Sequence, residues 1–405
     1  MKVAIVHDWF DKIAGSETII RELVKCFPDA HVFSLVSRLD DDDRRGLDLD
    51  VIHTSFVQKL PLPVWMLRNE LPLISMAIGE FDLTGYDLVL SSSYAIAWSG
   101  IATSKQLHVT YIQTPFRYDW DMQAESSGNT GLRHGIKSAV ARAARQYVQM
   151  WDGSTKCHPD VFVANSRLVA DRIQEKYDCV ASVVFPPVDV ESIRAGGERG
   201  EFYLAVGHLM SSRRFDLVVK AFANHPDKEL IVIGSGDERE RLEEIATPNV
   251  KIMGFQPAEV LHDHLQRAKA FVSASAEDFG ILSVEAQACG TPVIGFAQSG
   301  LRDTVIDRRT GLLFAEQSVE SVSEAIQDMA DLPSDYFDPK AIRGHANSFS
   351  AQRFRFEIKS LVKSEFIKRR SALADEIEVL DFNPVDDLGD SIESTTTDVP
   401  QPELS

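Results

Sequence analysis

One pattern constrains the fold of this chain more than any other: short apolar runs alternate with helix-like stretches, and the series occurs twice. In the first half, each apolar run is followed by polar or glycine-containing sequence and then by a helical stretch. The runs lie at residues 2–6, 31–36, 87–90, 108–112 and 161–164. Continuous apolar runs separated by helices are typical of buried parallel strands. The first half is therefore expected to form a doubly wound parallel α/β sheet.

The series restarts after a glycine-rich break at residues 195–200, which read AGGERG. Two consecutive glycines among polar residues favour a hinge. Further strand-like runs follow at residues 202–206, 230–233, 250–252, 270–273 and 292–295. The chain has 405 residues, and a single core rarely exceeds about 250–300 residues. We therefore expect two Rossmann-like domains, at residues 1–195 and 200–345, with a ligand-binding cleft between the carboxyl ends of their strands.

The pattern changes beyond these two domains. Residues 346–370 are expected to hold a C-terminal helix, with an apolar face formed by Phe354, Ile358, Leu361 and Val362. Residues 371–405 contain ten acidic side chains and no Lys or Arg. Such a segment cannot bury enough apolar surface to order itself, so we expect a disordered acidic tail.

Charge and cysteine content narrow the class of protein. The formal net charge is −19, which disfavours a nucleic-acid partner because phosphate binding requires a basic surface. The four cysteines, at positions 26, 157, 179 and 289, form no CxxC motif, so neither a disulfide framework nor a structural zinc site is expected. The sequence shows neither a signal peptide nor a run of about 18 apolar residues. We therefore expect a cytoplasmic protein.

The segment from 276 to 294, AEDFGILSVEAQACGTPVI, is the most informative for function. A strand ends, Glu277 follows in a loop, Gly280 permits close backbone approach, and a helix containing Glu285 begins. The amides and dipole of a helix start suit a phosphate. The two glutamates could accept hydrogen bonds from sugar hydroxyls on either side of it. The alternative is an acidic helix start with two surface glutamates.

This Glu-x7-Glu spacing, followed by Ala-x-Ala-x-Gly-Thr-Pro-Val-Ile, resembles the signature of the bacterial retaining glycosyltransferase family four. The resemblance covers roughly residues 1–340 and implies the GT-B fold, in which two Rossmann-like domains transfer a sugar from a nucleotide diphosphate. It implies that Glu277 contacts the donor sugar and that Glu285 holds the ribose hydroxyls. The backbone of residues Phe279, Gly280 and Ile281 would line the sugar and phosphate.

A second match lies in the segment Gly207-His208-Leu209 and the arginines that follow it. A departing diphosphate requires cations in a partly dry cleft. Arg213 falls on the position of the family's lysine, and Arg214 is adjacent. His208 stands where the family has arginine. The resemblance therefore implies that these three side chains bind the donor phosphates; the alternative for the two arginines is a solvated helix cap.

Two segments of the first half also match. Gly15 and Ser16, at the start of the first helix, resemble the family's glycine loop near the phosphates, although one of its two glycines is absent. The run TPFRYDW after Gln113 is similar to a segment of polysaccharide-assembling members. Many relatives carry histidine at the position of Gln113, which contacts the donor sugar, and glutamine cannot transfer a proton. Arg117 and Tyr118 could form an acceptor wall, and Asp8 could contact the acceptor.

The reaction implied by the resemblance is a sugar transfer with retained anomeric configuration, catalysed by Glu277, Arg213 and Gln113. We favour a front-face route, because the sequence offers no compelling nucleophile. No Asp-x-Asp motif stands where a metal–diphosphate clamp would need it, so no metal or other cofactor is expected. Resemblance to mannosyltransferases of exopolysaccharide and O-antigen assembly favours GDP-mannose as the donor.

The acceptor expected from the resemblance is a lipid-linked saccharide or polysaccharide, which would bring the chain to a membrane. The basic run from Arg133 to Arg145 fits attraction to anionic headgroups on the inner face of the plasma membrane, and residues 59–68 could dip into the interface. The alternative for both is a surface packed on the domain core. Two other functions stay open: a GT-B nucleotide-sugar epimerase, and a non-catalytic nucleotide-sugar-binding protein.

Overall fold

The computed structural model describes residues 1–11, 15–49, 51–60, 71–93, 106–114, 159–194, 196 and 199–372. Within them, the first half forms a parallel sheet whose strand order is β3-β2-β1-β4-β5-β6-β7. Its strands are β1 (Val3–His7), β2 (His31–Ser34), β3 (Ile52–Thr54), β4 (Leu88–Ser93), β5 (Leu107–Ile112), β6 (Val161–Ala164) and β7 (Ala181–Val183). Its described α-helices are α1 (Gly15–Cys26), α2 (Asp41–Gly46), α3 (Leu71–Gly79) and α4 (Arg167–Tyr177).

The second half repeats this plan with a six-stranded parallel sheet of order β10-β9-β8-β11-β12-β13. The strands are β8 (Tyr203–Val206), β9 (Leu230–Ile233), β10 (Val250–Gly254), β11 (Ala270–Ser273), β12 (Val293–Phe296) and β13 (Gly311–Phe314). The helices are α5 (Phe215–Ala223), α6 (Arg239–Ile245), α7 (Ala258–Arg267), α8 (Ile281–Ala288), α9 (Leu301–Thr304), α10 (Val319–Asp331) and α11 (Pro339–Ala346). The prediction of two Rossmann-like parallel-sheet domains is confirmed.

Both sheets reverse their strand order at one point, between β1 and β4 in the first and between β8 and β11 in the second. Central strands such as β1 and β4 are buried along their whole length, because helices cover both faces of the sheet. Ligands of open parallel sheets bind outside the carboxyl ends of the strands at such reversals. The topology therefore marks two crevices, one in each domain.

The last helix, α12 (Ala351–Ala372), returns to the first domain. Three apolar side chains of its predicted face, Phe354, Ile358 and Val362, are almost fully buried and join the core beneath α1 and β5. Arg355 of the same helix forms an ion pair with Glu22 of α1, whose side chain is 1% exposed. The C-terminal helix thus completes the first domain's core rather than standing alone.

Several predicted features lie outside the described residues: Arg117 and Tyr118, the basic run at 133–145, most of the segment at 59–68, and the acidic tail beyond residue 372. Among the helices that the structure does describe, none combines the length and the apolar character needed to cross a bilayer.

Candidate functional site

The loop that joins β11 to α8 carries the most informative motif, and we call residues 276–280 the acidic loop. A second loop holds it from behind: the amide of Gly300 donates to the carbonyl oxygen of Glu277 at 2.6 Å. A Cβ atom on Gly300 would lie only 2.1 Å from the carbonyl oxygen of Asp278. Gly280 itself has φ = +90°, a left-handed conformation that favours glycine. These two glycines fix the backbone of the acidic loop at the reversal between β8 and β11.

The helix α8 starts directly after this loop, with Gly280 at its N-cap. Within the described residues, no side chain caps this helix start. The free backbone amides at a helix N-terminus, together with the helix dipole, bind anions. Phe279 has a different role from the backbone around it, since its ring is 3% exposed and packs against Phe185 and Phe349. The aromatic ring anchors the loop, and the backbone beside it borders the crevice.

The structure brings together two charged residues from different motifs, Arg213 and Glu277. Arg213 lies in the 3₁₀ turn Ser211–Arg213 after β8, and its Nη1 is 2.9 Å from Oε1 of Glu277. The two side chains are 37% and 16% exposed. Arg214 turns elsewhere: it adopts φ = +53° and its Nε donates to Asp216 at 3.2 Å. Arg213 is therefore the arginine of this pair that contacts the acidic loop.

The loops after β8 and β9 interlock through glycines. A Cβ atom on Gly234 would lie 1.9 Å from the carbonyl oxygen of Gly207, and one on Gly236 would lie 2.2 Å from that of Leu209. The amide of Leu209 in turn donates to the carbonyl oxygen of Ser235 at 2.9 Å. His208 is exposed on this double loop. The close approach leaves a backbone-lined surface next to Arg213, which suits a ligand rich in acceptor oxygens.

Glu285 lies in α8, the helix that begins directly after the acidic loop. Burial raises the pKa of its carboxyl to about 7, because the surrounding protein removes water from the charged form. The pKa of the Cys289 thiol is raised to about 12, first by burial and then by the negative charge of Glu285. A carboxylate in this setting is stabilised when hydroxyl groups donate hydrogen bonds to it. The position suits a diol such as the two hydroxyls of a ribose.

Among the described residues, the crevice of the first domain is bordered by neutral side chains and by the buried acid Asp8. Asp8 follows β1 and is fully buried, and Ser93 Oγ lies 3.2 Å from both of its carboxylate oxygens. Gln113 follows β5 and donates from Nε2 to Ser92 Oγ at 3.2 Å. Asn165 follows β6 and donates to the carbonyl oxygen of Gln113 at 2.8 Å. Oδ1 of Asn165 is buried and has no hydrogen-bond partner within the described residues.

The two crevices meet along a polar seam. The carboxylate of Asp278, in the acidic loop, accepts hydrogen bonds from Thr114 Oγ1 and from Arg172 of α4. Asp303 accepts from the backbone amide of Arg167 at 2.7 Å. Arg302 pairs with Asp171 on the exposed rim. The carboxyl ends of both sheets therefore face each other across one interdomain cleft.

Two family profiles match the chain in succession. The profile named Glycosyltransferase Family 4 matches residues 13–192, and the profile named Glycosyl transferases group 1 matches residues 191–341. Together they span residues 13–341, which include all the described strands except β1. The chain has the GT-B fold of these glycosyltransferases.

Sequence relatives of this GT-B chain include the D-inositol 3-phosphate glycosyltransferase of Mycobacteroides abscessus, which is 30% identical over 216 residues. The match covers 47% of this chain and 48% of that protein, so the chain spans about half the length of the relatives it matches.

Solved structures of other proteins superpose on most of this chain. The lipopolysaccharide outer core galactosyltransferase WaaB, in its apo form, superposes with a TM-score of 0.60 at 17% identity, over 90% of this chain and 100% of that one. Anabaena HepE in complex with UDP and glucose gives 0.64 at 15% identity, over 89% and 99%. At these identities, the likeness is one of fold.

The GT-B structure places most of the predicted site residues at the cleft, with the donor set (Glu277, Arg213, Glu285, Gly280, Ile281) in the second domain and Gln113 in the first. Gly15 and Ser16 form the start of α1. Sequence reasoning did not single out Asp278 or Thr114, because the hydrogen-bond partners of Asp278 lie in the other domain. Among the described residues, no cluster of three His, Cys, Asp or Glu side chains could hold a metal ion.

Proposed function

We propose that this chain is a retaining glycosyltransferase that moves a sugar from a nucleotide diphosphate to a hydroxyl group. The observation that supports this most directly is the pairing of Arg213 with Glu277 at the start of α8, with the desolvated carboxyl of Glu285 inside the same helix. A cation and helix amides suit the diphosphate. The carboxylates on either side suit hydroxyls of the sugar and of the ribose.

In the proposed reaction, the bond between the anomeric carbon and the diphosphate oxygen breaks as the acceptor oxygen bonds to the same face of that carbon. The acceptor proton passes to the departing phosphate oxygen. Gln113 is within reach of this side of the cleft but cannot transfer a proton, so its role is to hydrogen-bond the donor sugar. Arg213 and the amides at the start of α8 stabilise the charge on the leaving diphosphate.

A matched pair of variants tests this function. Glu277→Gln keeps the size of the side chain and removes its charge; we expect sugar transfer to fall roughly 100-fold while the fold is retained. Glu259→Gln, at an exposed position in α7, is the control and should transfer at the wild-type rate. Product analysis without acceptor should show no epimerised donor. A Glu277→Gln variant with wild-type transfer would contradict the proposal.

For the donor we propose GDP-mannose, on the strength of the motif resemblance to mannosyltransferases. The structural neighbour HepE was solved with UDP and glucose, so uridine and guanosine donors need direct comparison. A thermal-shift panel of nucleotide sugars separates them, because the cognate donor stabilises the folded state by mass action. A larger shift with a UDP-sugar than with GDP-mannose would replace this donor assignment.

For the acceptor we propose a lipid-linked saccharide or polysaccharide in cell-surface polysaccharide synthesis, met at the inner face of the plasma membrane. The support is the basic run from Arg133 to Arg145, together with the fold shared with a lipopolysaccharide galactosyltransferase. Cosedimentation with anionic vesicles should fall when Arg142 and Arg145 are both changed to glutamate. Unchanged cosedimentation would remove the membrane proposal.

We also propose that the reaction needs no metal ion. Arg213 and backbone amides can meet the charge of the diphosphate. Transfer in the presence of a chelator should equal transfer without it. Activity that a chelator abolishes and that manganese restores would contradict this proposal.

A further inference from the structure

We infer that Asp278 is a positioning residue that aligns the donor side of the cleft with the acceptor side; this inference rests on the proposed transfer reaction. The Asp278 carboxylate joins two groups of the first domain at once. Thr114 Oγ1 donates to one of its oxygens and Nη1 of Arg172 donates to the other. Hydrogen bonds to a charged acceptor are roughly twice as strong as neutral ones.

The positions of Asp278 and Thr114 in the sequence relate their hydrogen bond to the proposed sugar-binding residues. Asp278 directly follows Glu277, and Thr114 directly follows Gln113. Consecutive Cα atoms are about 3.8 Å apart, so the Asp278–Thr114 bond lies one residue away from each of the two side chains proposed to contact the donor sugar. The Asp278–Thr114 bond is therefore the described interdomain contact that directly adjoins both Glu277 and Gln113.

Both ends of this bond are anchored within their own domains. On one side, Gly300 holds the acidic loop from behind through its 2.6 Å hydrogen bond to the carbonyl oxygen of Glu277. On the other, the amide and carbonyl groups of Gln113 are bound by Ser93 and Asn165, at 2.8 Å each. Since neither backbone can shift freely, the side-chain bond between them fixes the width of the cleft at the sugar.

Burial distinguishes this contact from the Arg302–Asp171 pair, which also crosses the seam. The Asp278 side chain is 11% exposed and that of Arg172 is 28% exposed. The Arg302–Asp171 pair also joins the two domains, but its side chains are 39% and 60% exposed and neither belongs to the acidic loop. Exposed pairs contribute little. The Arg302–Asp171 pair therefore supplies a control that breaks an interdomain contact away from the sugar.

The test uses the full chain and an isosteric pair at position 114. Thr114→Val removes the hydroxyl and keeps the shape, whereas Thr114→Ser keeps the hydroxyl. We expect Thr114→Val and Asp278→Ala, each of which removes the hydrogen bond, to lower the kcat of sugar transfer about tenfold or more, since a misplacement of 1 Å can lower a rate about 100-fold. The Kd values for UDP and GDP should stay within about twofold of the wild type. Thr114→Ser and Asp171→Asn should resemble the wild type in both measurements.

A double variant, Thr114→Val with Asp278→Ala, should be no slower than the slower single variant, because both changes remove the Thr114–Asp278 hydrogen bond. Thr114→Val with wild-type kcat would overturn the inference alone. Nucleotide affinity that falls as far as kcat would also overturn it, because Asp278 would then act through donor binding. A wild-type chain that binds nucleotide but transfers no sugar would overturn the proposed function, and this inference with it.

Discussion

The two sides of the cleft share a topology but differ in chemistry. Each lies at a strand reversal of a parallel sheet, β1/β4 in the first domain and β8/β11 in the second. Among the described residues, the second-domain side has a helix start without a side-chain cap, close-packed glycine loops and the Arg213–Glu277 pair. The described residues of the first-domain side include Ser and Gln side chains bonded to one another and a buried Asp8. This contrast suits the proposed function, in which the second-domain side binds the diphosphate and the first-domain side contacts hydroxyl groups.

The difference predicts that nucleotide affinity resides on the second-domain side. Arg213→Ala should weaken binding of a nucleoside diphosphate roughly 10- to 100-fold, because a charge-assisted contact to the phosphates is lost. Gln113→Leu, on the opposite side, should lower sugar transfer and leave nucleotide affinity unchanged. Isothermal titration calorimetry on both variants measures the contrast. Equal losses of nucleotide affinity in the two variants would mean that the two sides are not specialised.

Backbone packing behind the acidic loop gives a second prediction. Gly300→Ala should lower the free energy of unfolding by about 2 kcal/mol, since the new methyl group meets the backbone of Asp278 and Phe279. Gly344→Ala is the matched control, because this exposed glycine in α11 has nothing within 4 Å of an added Cβ atom. That change should stabilise the protein by about 0.5–1 kcal/mol. Urea denaturation measures the free energy of unfolding of both variants. Equal changes in the two variants would contradict the close approach of Gly300 to the backbone of Asp278 and Phe279.

A pH dependence provides the third prediction. The pKa of Glu285 is raised to about 7, and in the proposed donor site the ribose hydroxyls would bind its ionised carboxylate. Nucleotide-sugar affinity should therefore increase about tenfold from pH 6 to pH 8. Glu285→Gln should remove this slope. The same shift means that Glu285 favours the folded state below pH 4.5 and loses that contribution as the pH rises through 7. Glu285→Gln should consequently raise the Tm more at pH 8 than at pH 5.

Sequence reasoning predicted the fold, and the elements that carry the candidate site residues, because local patterns encode local structure. The apolar runs predicted the strands, and the spacing of Glu277 and Glu285 placed them on one loop and one helix of the same domain. The sequence could not show which of the adjacent residues Arg213 and Arg214 contacts Glu277. That choice depends on the left-handed backbone conformation of Arg214, which directs the two side chains differently. The raised pKa of Glu285 depends on the packing around α8, which no spacing encodes.

The interdomain contacts show most clearly which features a single sequence cannot predict. Asp278 lies 164 residues from Thr114 and 106 residues from Arg172. Nothing in a single sequence marks such distant residues as partners, since each is an ordinary polar residue in its own segment. The return of α12 to the first domain is a similar case: its apolar face was predicted, but the core that receives it was not.

The most direct test of the account is a crystal structure of the chain with a nucleoside diphosphate bound. We expect the diphosphate to contact Arg213 and the first amides of α8, with both ribose hydroxyls on the carboxylate of Glu285. A diphosphate that binds elsewhere, or a ribose that leaves Glu285 untouched, would contradict the assignment of the second-domain crevice as the donor site.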